Sequence, residues 1–248
     1  MNGVVLALGR ALRSIMHPKL LLLSVFPTLV ASVLWGSLTL YFWSPLNAWV
    51  ADWLNNTTAV DAMLYLARVL FQWEMAGVIP GLARFLILLT VLPLIQATAL
   101  MIAAVFLMPV LVKHVAGRSY AELERRHGGS FFGSAWGALV GASVFMFLWM
   151  ATLPLWLVPG LALLLPLALS AYLNQRLFCY DAIADHADQD ELDAILRGRR
   201  IGRFGLGAAL GVLHYVPLLG WFAPVYMGLA FAHWGLALLA AQRKALAA

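Results

Sequence analysis

Four long stretches without a charged residue limit what this chain can fold into. The first two run over residues 20–43 and 85–112, and are 24 and 28 residues long. As helices they would measure about 36 and 42 Å, enough to cross the roughly 30 Å hydrocarbon core of a bilayer. With 63% hydrophobic and only 11% charged residues, the chain also lacks the polar surface of a soluble enzyme. The sequence therefore predicts an all-α integral membrane protein, with residues 1–248 forming a single helical membrane domain.

The other two stretches, residues 131–175 and 204–242, are each too long for one helix and are interrupted by prolines. This pattern predicts two helical hairpins. The first arm of the second hairpin, residues 204–216, would measure only about 20 Å as a helix and is too short to cross the bilayer. We therefore expect this hairpin to penetrate the membrane only partly. The run lengths leave open whether hairpin 131–175 crosses fully.

The positions of the basic residues predict the topology. Of the 16 lysines and arginines, 14 lie in residues 1–19, 113–130 and 176–203 and in the tail after residue 242. Because basic residues accumulate on the cytoplasmic side of membrane proteins, two full spans followed by two hairpins place both termini in the cytoplasm. The connection over residues 44–84 would then lie outside.

Part of that outer connection has a helical pattern. Asp61, Tyr65, Arg68 and Gln72 recur every three or four residues, so they form one polar stripe on an otherwise apolar helix. This pattern predicts a helix over about residues 59–78 that lies on the membrane surface. A spanning helix is the alternative, and it would invert the topology of everything that follows.

The strongly charged segment, residues 176–203, has its acidic residues first and its arginines last. That order suits a helix dipole and predicts a solvated cytoplasmic helix, interrupted at Gly198. The chain has no catalytic motif. It also has no convincing set of metal ligands, and Cys179 is its one cysteine. We expect no enzyme activity, no metal, no cofactor and no nucleic-acid partner.

Glycines spaced four apart mark the first arm of each hairpin. Gly137 and Gly141 lie in the first hairpin, and Gly207 and Gly211 lie in the second. Since this spacing places small residues on one helix face, we expect another helix backbone to approach closely at both pairs.

The start of the first long stretch is a candidate anion site. If Pro18 occupies the first helical turn, the free N–H groups of Lys19, Leu20 and Leu21 can hold an oxyanion, helped by the lysine charge. The alternative is that Lys19 only anchors the helix in the lipid headgroups. A second set of candidate basic residues is Arg199, Arg200 and Arg203.

Short motifs in a fixed order resemble the CysZ-type sulfate permeases, the bacterial members of the etoposide-induced protein 2.4 family. The motifs are Pro18-x8-Pro27, Arg176-Leu-Phe-Cys-Tyr-Asp181, Arg203-Phe-Gly, Gly211, and Val216-Pro217-Leu-Leu to Pro224. The resemblance covers residues 5–240. It implies two spanning helices and two partly penetrating hairpins, assembled as a homo-oligomer in the bacterial inner membrane.

The resemblance also implies transport of sulfate or another small anion. The family's sulfate site has Gly-Leu-Arg directly after the first proline, whereas this chain has Lys19-Leu20-Leu21 and lacks the arginine. The alternative function is a non-transporting scaffold or an envelope or lipid-homeostasis protein. In either case the lipid bilayer is the main partner.

Overall fold

The computed structural model describes residues 2–16, 18–71 and 77–246, and they are overwhelmingly helical. The α-helices are α1 (Asn2–Ile15), α2 (Pro18–Tyr41), α3 (Trp43–Asn55), α4 (Thr58–Phe71), α5 (Val78–Ile102), α6 (Met108–Ser119), α7 (Phe131–Thr152), α8 (Pro159–Asp181), α9 (Gln189–Gly198), α10 (Arg200–Gly211), α11 (Pro217–Gly220) and α12 (Ala223–Leu246). No strand occurs in the described residues. The predicted all-α class is confirmed.

Five helical segments are long and apolar enough to cross a membrane. They are Leu23–Tyr41, Val78–Ser119, Phe131–Trp156, Gly160–Asp181 and Ala223–Leu246. The arms of the first hairpin, α7 and α8, have 22 and 23 residues, so each is about 33–35 Å long. Helix α10 has 12 residues and measures only about 18 Å. The multi-pass membrane class is therefore clear, and the arrangement as two spans and two hairpins stays a prediction.

The second apolar stretch is longer in the structure than the sequence predicted. Helices α5 and α6 are joined by a π-helical turn, Ala103–Leu107, into one run that extends from Val78 to Ser119. Pro109 follows this turn, and a proline cannot donate the backbone hydrogen bond that continues a regular α-helix. The wider π turn accommodates the missing backbone hydrogen bond, and the helical run continues.

The chain divides into two compact units, and one of them is residues 32–95. It contains α3 and α4, which are joined by a tight turn at residues 56 and 57, where Asn56 N donates to Asp52 O at 3.0 Å. The helix predicted after this turn is present as α4, and Gln72 lies outside the described residues. With 14 residues, α4 is about 21 Å long, a length that favours a position on the membrane surface.

The other unit comprises residues 1–31 and 96–248 and is built around α12. Most of α12 is buried, and α1 packs along it. Two hydrogen bonds join these helices: Ser14 Oγ lies 3.0 Å from His233 Nε2, and Tyr226 Oη donates to Leu8 O at 3.0 Å. Helix α8 packs against both α7 and α10.

Helices α8 and α10 approach each other very closely. A Cβ atom at Gly207 would lie 2.6 Å from Ala171 O, so only glycine fits there without a shift. Asn174 Nδ2 donates to Gly207 O at 3.2 Å across the same contact. The close backbone approach that the spacing predicted is therefore confirmed at Gly207.

Within this chain, the predicted close approach of another helix backbone is wrong for Gly137 and Gly141. A Cβ atom at Gly137 would have no neighbour within 4 Å, and one at Gly141 would meet the side chain of Arg176 rather than a backbone. The spacing indicates a face of small residues, but it does not determine which atoms meet that face.

The charged segment is not one continuous helix. Helix α8 ends at Asp181, residues 182–188 form turns, and α9 begins only at Gln189. The side chain of Asp188 accepts from Glu191 N, and the side chain of Glu191 accepts from Asp188 N, so a capping box starts α9. The helix ends at Gly198, where the sequence predicted the interruption.

Candidate functional site

A cleft of about 480 Å³ lies between α7, α8 and α10, and we call it the arginine cleft. Its lining comprises Gly133, Ser134, Gly137, Val140, Tyr172, Gln175, Arg176, Leu177, Cys179, Tyr180, Asp181, Leu196 and Arg203. Most of these residues come from the first turns of α7 and the last turns of α8, where two apolar segments meet the charged connection. Leu196 belongs to α9 and Arg203 to α10. The volume is within the usual range of small-ligand pockets, about 300–1,000 Å³.

Small residues on α7 create the space for the cleft. Ser130 caps this helix by accepting from Gly133 N at 3.0 Å, and Gly137 leaves one wall open. One turn further on, a Cβ atom at Gly141 would lie 2.8 Å from Arg176 Cγ. The stem of Arg176 therefore lies against the bare backbone at Gly141.

The cleft contains two guanidinium groups and one carboxylate. Arg176 is exposed and Arg203 is half-buried, and no carboxylate of the described chain forms an ion pair with either of them within 4.0 Å. Asp181 Oδ2 instead accepts from Ser134 Oγ at 2.9 Å. With all three groups ionised, the lining has a net charge of about +1.

Two polar atoms of the cleft lack hydrogen-bond partners. Arg203 Nε and Gln175 Oε1 are both buried, and neither has a partner among the described residues. The side chain of Arg203 also interacts with the thiol of Cys179. Both atoms have almost no accessible surface, so neither is open to a ligand in the cleft. The forked donors of arginine match the oxygens of an oxyanion in particular.

Only some of the predicted site residues line the cleft in the structure. Of the second basic set, Arg203 lines the cleft, whereas Arg199 and Arg200 are exposed at the junction of α9 and α10 and do not line it. Helix α2 begins at Pro18, as expected, and Leu20 is buried in the core. The side chains of Lys19 and Leu21 lie outside the described part of the chain.

Sequence reasoning did not select Arg176 as a site residue. The available signal was its position: it is the first charged residue after the 45-residue uncharged stretch 131–175. That signal was weak because an arginine at the end of a membrane span commonly anchors the span.

A second polar cluster is structural in character. Arg243 donates from Nε to Glu191 Oε1 and from Nη2 to Glu191 Oε2, both at 2.8 Å, and Nη2 also donates to His186 O at 2.7 Å. The hydrogen bonds from Arg243 hold the pKa of Glu191 below its ordinary value, and burial opposes this shift. Glu191 is buried and paired, so this part of the charged segment is not simply solvated, as the sequence had suggested.

The described residues contain no group of three or more histidine, cysteine, aspartate and glutamate side chains that could hold a metal ion. The arginine cleft is suited to an anion rather than to a metal cation, because its two guanidinium groups outnumber its single carboxylate. Its donor set is suited to a small anion.

The sequence of this chain matches a known family. A family profile described as "Sulfate transporter CysZ/Etoposide-induced protein 2.4" matches residues 7–224. No curated protein and no solved structure matches the chain. The profile match covers most of the sequence and confirms the resemblance found in its motifs. This chain therefore belongs to the family of the sulfate transporter CysZ and etoposide-induced protein 2.4.

Proposed function

We propose that this protein carries a small anion, with sulfate the first to test, across the bacterial inner membrane. The observation that carries the proposal is the pair of guanidinium groups in the arginine cleft, because Arg176 and Arg203 both line it and neither forms an ion pair with a carboxylate of the described chain. Family membership and the five apolar helices support it. The protein works as a homo-oligomer with both termini in the cytoplasm, so the cleft opens toward the cytoplasmic side.

The charges in the cleft suit an anion that must be bound and then released. Two guanidinium groups attract an anion, and guanidinium loses its hydration more readily than the ammonium of lysine. Asp181 in the same cavity reduces the net attraction. A transport site must bind its ion strongly enough to admit it and weakly enough to release it.

The N-terminus of α2 is the second contact point in this proposal. The N–H groups at Lys19, Leu20 and Leu21 belong to the first turn of α2, where the helix carries a partial positive charge of about half a unit. This position can hold an anion with its backbone, even without the family's arginine. The lysine charge adds to the attraction.

The test combines binding with flux. Purified protein is titrated with sulfate by calorimetry, and the same protein in liposomes is assayed for sulfate uptake, as wild type, Arg203→Gln and Lys19→Ala. The matched control is Arg197→Gln, because Arg197 is an exposed arginine of α9 outside the cleft, paired with Asp193. Loss of one hydrogen bond to a charged group should weaken binding by roughly 10–150-fold.

We expect Arg203→Gln to lose affinity and uptake by this amount and Arg197→Gln to retain both. Uptake no faster than in protein-free liposomes would contradict the transport proposal. If Lys19→Ala loses binding and Arg203→Gln does not, the anion site lies at α2 and not in the arginine cleft.

A further inference from the structure

The arginine cleft contains hydrogen-bond acceptors as well as cationic donors, and this combination bears on the substrate. Asp181 lines the cavity with Arg176 and Arg203, yet no guanidinium of the described chain is within 4.0 Å of its carboxylate. Ser134 donates one hydrogen bond, to Oδ2. An ionised carboxylate has about four lone-pair sites and no donor, so most of its accepting capacity remains for a ligand.

This free accepting capacity distinguishes ligands. A ligand that bears a hydroxyl group can donate to the Asp181 carboxylate, whereas a ligand made only of acceptor oxygens cannot.

Oxyanions differ in whether they carry a hydrogen-bond donor. Fully ionised sulfate has acceptor oxygens only, so beside Asp181 it meets a like charge with no hydrogen bond between them. Hydrogen phosphate has the same tetrahedral shape, but it keeps one O–H group near neutral pH. Its O–H can donate to the carboxylate while its other oxygens accept from the two guanidinium groups.

We infer that the arginine cleft selects an oxyanion that bears a hydroxyl proton, such as hydrogen phosphate, over fully ionised sulfate. This inference rests on the proposed function and narrows its substrate class. Asp181 acts as the discriminating residue: it accepts from the right ligand and repels the wrong one, which is how a charged group gives specificity. The headgroup of phosphatidic acid is a phosphate monoester that bears such a hydroxyl in its singly ionised form, so the test includes both sources.

The experiment is calorimetric titration of the purified full-length protein with inorganic phosphate and with sulfate at about pH 8, where carboxylates are ionised. Wild type should bind phosphate at least about tenfold more tightly than sulfate. In Asp181→Asn, of nearly the same shape, the amide can donate to sulfate, so the phosphate-to-sulfate affinity ratio should fall by about tenfold or more. Asp190→Asn, an exposed carboxylate of α9 outside the cleft, is the control and should keep the wild-type ratio. Thermal unfolding verifies that each variant is folded.

The possible results separate the two proposals. Equal affinity for phosphate and sulfate in wild type, or an unchanged ratio in Asp181→Asn, would overturn the selectivity while leaving anion transport intact. If phosphatidic acid in mixed micelles binds through Asp181 and neither inorganic phosphate nor sulfate binds, the cleft recognises a lipid headgroup and the transport proposal is wrong. If none of the three probes binds, both proposals are wrong.

Discussion

Arg243 holds Glu191 through two parallel hydrogen bonds of 2.8 Å, although 52 residues separate them in the sequence. The pair joins the last turns of α12 to the first turn of α9. Arg126 adds a third contact to this carboxylate at 3.3 Å from its Nη1 atom. Since Glu191 is buried, this bidentate pair is a strong polar link between the charged connection and the core helix.

Removing the buried member of this pair should destabilise the protein. Glu191→Ala leaves Arg243 without its carboxylate and also removes half of the α9 capping box. We expect a loss of roughly 1.5–3 kcal/mol in the free energy of unfolding, measured by thermal or denaturant unfolding in detergent. The control is Asp193→Asn, which breaks the exposed pair between Asp193 and Arg197 and should cost less than about 0.5 kcal/mol. Equal losses in the two variants would contradict the structural role of Glu191.

The same pair predicts a specific loss of stability in acid. The pKa of Glu191 is lowered in the folded protein from an ordinary value of 4.5, chiefly by its hydrogen bonds from Arg243. A lowered pKa means that the carboxylate stabilises the fold above that ordinary value and loses this contribution as the pH falls through the folded pKa. The difference in unfolding temperature between wild type and Glu191→Gln should therefore be largest near neutral pH and shrink below about pH 4. A difference that is constant with pH would show that the carboxylate charge is not responsible.

The contact between α8 and α10 can be tested with two glycines on one helix. Gly207→Ala places a Cβ atom 2.6 Å from Ala171 O, a backbone atom that cannot move away alone. We expect this overpacking to cost about 1–3 kcal/mol in unfolding free energy. Gly205→Ala is the matched control, since its Cβ atom would have no neighbour within 4 Å. Alanine there should be neutral or stabilising by about 0.5–1 kcal/mol, because it favours the helix.

Gly141 of α7 tests the arginine cleft itself. In Gly141→Ala the new Cβ atom would lie 2.8 Å from Arg176 Cγ, so the arginine stem must shift. Gly117→Ala introduces the same methyl group into open space on α6, outside the cleft, and serves as the control. Anion affinity measured by calorimetry should fall by roughly tenfold in Gly141→Ala, equivalent to about 1.4 kcal/mol, and little in Gly117→Ala. If both variants bind anions like wild type, the position of Arg176 does not matter for binding.

The predicted topology can be tested by labelling introduced cysteines with membrane-impermeant thiol reagents. In a Cys179→Ser background, cysteines at Asn55 and Arg199 should react from opposite sides, as the distribution of basic residues requires. Val158 lies at the turn between α7 and α8, and both helices are long enough to cross about 30 Å of hydrocarbon. We expect a cysteine at Val158 to react from the same side as Asn55. If the cysteine at Val158 is labelled from neither side, the first hairpin ends inside the membrane. If the cysteines at Asn55 and Arg199 are labelled from the same side, the predicted topology is wrong.

The class of the protein and most helix positions could be read from the sequence alone. The length of an uncharged stretch, compared with the thickness of a bilayer, is a local property of the chain, and so are the effects of Pro18 at a helix start and Gly198 at a helix end. The short first arm of the second hairpin followed in the same way, and α10 is indeed only 12 residues long. The family motifs were also local, and the family match confirms them.

Only the tertiary structure decided which distant residues meet. Arg203 was one of several candidate basic residues until the packing of α10 on α8 brought it to the same cleft as Arg176. The two glycine pairs have identical spacing, yet Gly207 meets a backbone and Gly141 meets an arginine stem. Sequence spacing determines which residues share a helix face. The partner of that face depends on how the helices pack, and on this packing depend both the arginine cleft and the pair between Glu191 and Arg243.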